Sequence, residues 1–267
     1  MVARWSRAAV VSFSLLVTAV GGAELSWPEN SASEPASARS AKAAKFASNV
    51  AFHVVLHEIG HALVREFDLP ILGNEETLAD AFATHYLTAH CGDRALAVLK
   101  ARVQSLMVEA GEVARAEWPV RGEHNSDARR AYQIAALAVA ADRERYRPIA
   151  ELVEMSDADV RSSADYGAEI HRSWRRVLAP LRMPEGQSSR EAGVRGDDSK
   201  HALIKMLRKD KVIEDLEQIL RGFDWHSFVA LEFVEGEGGA GWSRSSRRIR
   251  VHTEYLQRFV DQSRLVK

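Results

Sequence analysis

Cysteine is nearly missing from this 267-residue chain. Cys91 is the only one, which excludes an internal disulfide, and no partner pattern marks it as a thiol nucleophile. An excess of either charge is missing too. Lys and Arg number 36 against 37 Asp and Glu, so the formal net charge of -1 gives no global field to draw in nucleic acid or an anionic membrane. Glycine (16) and proline (7) are few, while alanine, leucine, arginine and glutamate dominate, a composition that favours helix. There is no internal repeat, no Gly-rich phosphate loop and no nucleotide fingerprint.

Only one apolar run is long, and it lies at the start. Arg4 and Arg7 precede Ala8 to Val20, and the small residues Gly21, Gly22 and Ala23 follow. That layout predicts a signal peptide over residues 1–23, cleaved after Ala23, because the run is short for a bilayer span. No cysteine lies near the cleavage point, so no lipoprotein attachment is expected. The expectation is an exported chain, periplasmic or extracellular, without stable membrane insertion once the signal is removed.

With 46% hydrophobic residues, the remainder can bury a real core. Residues 24–42, rich in Ser, Ala, Pro and Glu, predict a flexible linker. Residues 43–182 predict a helical domain. Its helices begin with one to Phe67, followed by a Pro70 break and a helix from Glu75 to about His90, with Asn74 as N-cap and Gly92 as stop. Further helices are capped by Asp93, Ser126 and Ser156, with another from about Arg143. Residues 183–199 predict an exposed loop. Residues 200–267 predict a helix, a β-hairpin and a last helix, all packing on the same domain. The hairpin pairs HSFVALEF (226–233) with RRIRVH (247–252) across the Gly-rich EGEGGAG. The basic run RSSRRIR (244–250) fits the edge of a strand protected from further pairing. The fold class is thus mainly α with a small antiparallel sheet, an α+β arrangement.

Chemistry concentrates in FHVVLHEIGHALVREF (52–67). Residues four apart on a helix lie about 40° apart around its axis, so His57 and His61 can point two imidazoles at one ion. Glu58, beside the first histidine, can reach a water at that ion; this is the mechanical content of H-E-x-x-H. The flanks are uncharged, as befits a helix that buries one side, and Gly60 leaves room for close packing. His53, one turn before His57 on the same face, can line the cleft. A catalytic zinc takes three protein ligands, so a third is needed. Downstream, GNEETLADAFATHYL places Glu76 and Asp80 four apart on the next helix. A carboxylate there can complete the site, and Asp80 can accept the free N–H of a ligating histidine. Glu75 is a rival to Glu76, which is preferred because it alone has an acid four residues later.

With these residues in place, HEIGHALVREFDLPILGNEETLADAFA resembles the gluzincin class of zinc metallopeptidases. Within that class it resembles a bacterial family of secreted metallopeptidases whose pattern is a histidine–glutamate helix, the connection L-D-L-P-V-x-G and a paired-glutamate stretch ending in A-A-D. The likeness is specific over residues 57–83 and scattered in EHNSDARRAYQIAALA and HRSWRRVLAPL. It reduces to a general helix, strand, strand, helix pattern from Leu207 to Val260. Family members often carry cysteines in the two weaker segments, where this chain has alanines and serines, so no disulfide carries over. The resemblance implies one Zn2+ held by His57, His61 and Glu76, with Glu58 as general base and Asp80 orienting a histidine. It also implies a peptide or protein substrate, hydrolysed by a metal-activated water. Gluzincin site helices pack under a small sheet; here the only strand pair is C-terminal, so the sheet is expected from there, in permuted order. A hydrogen-bond donor for the oxyanion is required as well, and His124, Tyr132, Tyr166 and His171 are the candidates. The alternative is a metal-binding or interaction protein that keeps the scaffold without activity.

Overall fold

A computed structural model describes residues 36–70, 73–112, 126–196 and 200–266. The expected signal peptide, most of the expected linker and His124 lie outside them. The first helix, α1 (Ala36–Glu66), starts seven residues before position 43, so the end of the expected linker is helical. From Ala47 to Val64 nearly every side chain of α1 is buried, because other elements surround it: α2, α3, α7, α8, α9 and two strands pack on it. Asp68 adopts a left-handed conformation (φ 48°), and Leu69 N–H returns to Val64 O at 3.0 Å. That is a Schellman ending with aspartate in the place glycine usually takes.

The next helices follow their sequence signals. In α2 (Glu75–His90), Asn74 Oδ1 accepts from Thr77 N–H at 3.2 Å, as the N-cap reading requires. After α3 (Gly92–Glu112) come α4 (Asp127–Ala141), α5 (Arg143–Leu152) and α6 (Asp157–Leu178), the last with a capping box between Ser156 and Asp159. Gly60 is where α2 meets α1. A Cβ built there would lie 3.0 Å from Ala79 Cα and 3.1 Å from Phe82 Cδ1. The absent side chain lets the two backbones close, which carries Glu76 and Asp80 up to the histidines.

Two corrections fall in the C-terminal third. The stretch 183–199 is not all loop, because β1 (Ala192–Arg195) lies within it; the helix expected over 200–222 is two, α7 (Ala202–Lys209) and α8 (Val212–Leu220), parted at Lys211 (φ 55°). The second correction concerns the hairpin. β2 (Val229–Val234) and β4 (Arg248–His252) are neighbours, but they run parallel, with Leu231 opposite Ile249. Between them in sequence, β3 (Ala240–Ser243) turns back and pairs antiparallel with the far side of β4. The sheet is therefore mixed, in the order β1-β2-β4-β3. Gly238 permits this path: its φ is +144°, and a Cβ there would meet the His252 ring at 2.5 Å. The glycines hide β3, since AGWS carries little strand propensity on its own. Val229, Leu231 and Phe233 of β2 and Ile249 and Val251 of β4 join the core, and α9 (Thr253–Gln262) follows directly, packing on α1. The class is α+β and mainly helical, as expected, and β3 is an edge strand lying against α1.

Candidate metal centre

His57 and His61 converge from successive turns of α1, and Glu76 reaches them from the first turn of α2. The two histidine Nε2 atoms are 3.0 Å apart. Glu76 Oε2 is 3.3 Å from His57 Nε2, and its Oε1 is 3.3 Å from His61 Nε2. These three side chains are a His/Glu cluster able to hold a metal ion. The spacing is a test of fit: ligand atoms bound at about 2.0–2.1 Å on a tetrahedron lie roughly 3.3 Å apart. The donors present fit such an ion.

Behind each imidazole stands a carboxylate. His57 Nδ1 donates to Asp80 Oδ1 at 2.8 Å, and His61 Nδ1 donates to Glu75 Oε1 at 2.9 Å. Both rings thus keep their protons at Nδ1 and turn Nε2 toward the shared point. Asp80 is held in turn by Arg130 of α4, which donates from Nε to Oδ2 at 2.7 Å and from Nη2 to Oδ1 at 3.0 Å. Arg65 holds Glu75 in the same way from the next turn of α1. Glu75 and Glu76, which the sequence left as rivals, occupy two distinct positions, one against Nδ1 and one against Nε2.

The surrounding carboxylates also set the charge preference of the two rings. Burial would lower the pKa of His57, but the Asp80 carboxylate and Glu76 outweigh it and raise it to about 9. His61 is raised as well, with burial again overcome by its bonds to Glu76 and Glu75. Burial pushes the Glu76 and Asp80 carboxyls up, yet the histidines, and Arg130 for Asp80, hold both well below the usual carboxylate range.

Glu58 is buried beside this cluster, and its Oε2 accepts from Trp242 N–H on β3 at 2.8 Å. His252 N–H donates to Gly239 O at 3.1 Å, so alternate residues of β3 face β4, while Ala240 and Trp242 turn their backbone groups to the free edge. That edge forms one wall of a cleft of roughly 840 Å³ whose other walls carry His53, His57, Glu58, His61 and Glu76, then Arg102 and Tyr255.

The four oxyanion candidates fare differently from the donor set. Tyr132 and Tyr166 sit on exposed faces of α4 and α6, and neither lines the cleft. His171 is buried elsewhere: its Nε2 donates to Leu137 O at 2.8 Å, and its Nδ1 meets His85 Nδ1 at 3.0 Å. Burial and the neighbouring His171 push His85 down to about 3, which keeps this pair neutral. His124 lies outside the described residues. Cys91 caps α2, half-buried, with its thiol pushed up to about 11 by burial, unsuited to nucleophilic attack. No local spacing marks Arg130, Trp242, Tyr255 or the place of Glu75 against Nδ1, because each joins the site through tertiary packing.

Residues 23–178 match the model of the family described as "Putative metallopeptidase". The chain belongs to that family. The matched span takes in the whole donor set and Arg130 and ends with α6, so the β3 wall and Tyr255 lie outside the part on which this metallopeptidase family is defined. No curated protein and no solved structure matches the chain.

Proposed function

We propose that the protein is an exported zinc metallopeptidase that hydrolyses peptide bonds. The observation that carries this reading is the convergence of His57 Nε2, His61 Nε2 and Glu76 on one point, with Glu58 beside them on an open cleft. In this reading His57, His61 and Glu76 hold the ion. Asp80 and Glu75 fix the two imidazoles, and membership of the metallopeptidase family supports a peptide or protein substrate. Bound there, zinc supplies a Lewis acid that lowers the pKa of water toward about 7 and polarises a carbonyl.

The rest is the work of the chain. Trp242 N–H anchors Glu58 Oε2, which leaves Oε1 to take the proton from the attacking water. As the C–O bond forms and the C–N bond breaks, Glu58 delivers that proton to the departing amine nitrogen. The free edge of β3 offers the Ala240 N–H and C=O and the Trp242 C=O to an extended peptide backbone, in the manner of an added strand.

The test is a Glu58→Gln variant. It should retain zinc, by elemental analysis, at the wild-type ratio while losing on the order of 1,000-fold or more in kcat on a peptide the wild type cleaves. His61→Ala should lose the zinc. A Glu58→Gln protein that keeps zinc and cleaves like wild type would remove the peptidase reading.

A further inference from the structure

Among the described residues that line the cleft, His53, Arg102 and Trp242 keep buried side-chain polar atoms without a partner, and the first two lie close enough for the Arg102 charge to act on the His53 ring. One turn before His57 on α1, His53 is fully buried, and neither of its ring nitrogens has a partner among the described residues. Arg102 of α3, also buried, has an unpartnered Nε. Its closest bonds are long: Nη1 to Ser105 Oγ at 3.5 Å and to Glu109 Oε2 at 3.7 Å. Glu109 is itself shared, lying 3.8 Å from Arg258 and accepting from Gln262 Nε2 at 3.2 Å. Arg130 does not help, since its guanidinium is committed to Asp80. Tyr255 of α9 lines the same cleft; burial pushes its hydroxyl up, and Arg102 is the charge that opposes this most. His53 and Arg102 also line the cleft although bulk solvent scarcely reaches them.

The chemistry of this group is one-sided. Arg102 offers N–H donors only, Tyr255 an O–H, and His53 one ring N–H. The acidic residues lining the cleft, Glu58, Glu75 and Glu76, are all engaged around the donor set. Burial pushes the His53 imidazole well below its ordinary pKa, so it is a neutral hydrogen-bonding group and not a second cation. A buried guanidinium with donors to spare, flanked by two neutral donors, favours an anion with two acceptor oxygens. One helical turn is about 5–6 Å, the length of one or two residues of extended chain.

We propose that His53, Arg102 and Tyr255 form a carboxylate-recognising subsite that selects peptide substrates carrying a negative charge one or two residues from the scissile bond. The inference rests on the peptidase reading for its substrate, but not for the binding itself. Two sources supply this carboxylate, a free C-terminus and an Asp or Glu side chain, and the experiment separates them.

Zinc-loaded wild type is given three matched peptides: a free acid, its C-terminal amide, and the amide with a glutamate in place of glutamine near the cleaved bond. One of the charged forms should exceed the neutral amide by about 10- to 100-fold in kcat/KM, mostly through KM, as expected for charge-assisted hydrogen bonds. The free acid wins if the source is the C-terminus, the glutamate peptide if it is a side chain. Arg102→Gln should erase the preference at unchanged zinc content; His53→Asn is the second variant should Arg102→Gln fail to fold. Equal cleavage of charged and neutral peptides overturns the subsite and leaves the peptidase reading standing. If none is cleaved, the peptidase reading fails, and calorimetric titration of the same peptides into zinc-loaded Glu58→Gln decides the subsite alone. There, a charged peptide binding at least tenfold tighter supports it, and the absence of such a difference overturns it.

Discussion

At the scale of single residues, the site is a chain of held groups: Arg130 holds Asp80, and Asp80 holds His57. An Asp80→Asn variant keeps the volume and removes the charge. It should weaken zinc binding by about 10- to 100-fold in chelator competition, and it should cost about 3 kcal/mol of stability because the Arg130 guanidinium is left buried without its carboxylate. The raised pKa of His57 gives a second prediction. His57 holds its proton up to about pH 9, and the ion must displace it, so zinc affinity should rise roughly tenfold per pH unit from neutral toward that pH. The sign for stability is opposite. A histidine raised from 6.5 to about 9 stabilises the metal-free fold fully below pH 6.5 and loses that contribution as pH climbs through 9. Melting of chelator-treated and zinc-loaded protein between pH 6.5 and 9 should therefore diverge. His57, Glu58 and His61 were legible in sequence because helical spacing alone sets them side by side. Glu76 was legible only as a preference over Glu75, since a one-residue difference on a helix is resolved by where the partner helix sits. Arg130 and Trp242, 50 and 184 residues from the groups they hold, left no local trace.

Among the elements, the contact of α1 with α2 at Gly60 sets how far Glu76 reaches. Gly60→Ala raises helix propensity by about 1 kcal/mol, but the new methyl meets the Ala79 backbone at 3.0 Å, and overpacking of that kind costs about 1–3 kcal/mol. The clash wins where the neighbour is backbone. The variant should lose up to about 2 kcal/mol in denaturant melts and bind zinc several-fold more weakly, while a change at the open Gly73 should do neither. Helix starts at Asn74 and Ser156 were readable because a cap is a local device. The strands were not. Apolar content marked β2 and β4, but which neighbour a strand pairs with, and in which direction, depends on a glycine-permitted path that inserts β3 on the far side of β4.

For the molecule as a whole, the donor set and the cleft wall come from opposite parts of the chain. The span that matches the metallopeptidase family ends at residue 178, yet α1 is covered by α8, α9, β3 and β4 beyond it. A protein shortened to residues 24–182 should therefore lack a cooperative thermal transition by circular dichroism, since the long buried helix would expose its apolar surface. The helices up to residue 178 and the clustered His57, His61 and Glu76 left contiguous signals in the sequence. Their dependence on the last third of the chain was not, because packing partners at such separation share no pattern.

That arrangement has a bearing on time. Synthesis runs from α1 toward α9, at about 5–20 residues per second. Roughly 10 to 35 seconds pass between completion of the metal donors and completion of Trp242 and Tyr255. Throughout that interval Glu58 has no strand N–H to hold it, and the free edge of β3 does not yet exist. On the proposed function, the capacity to cut is the last property the growing chain acquires, and a ribosome-stalled chain ending before Trp242 should be inert toward the peptides that the finished protein cleaves.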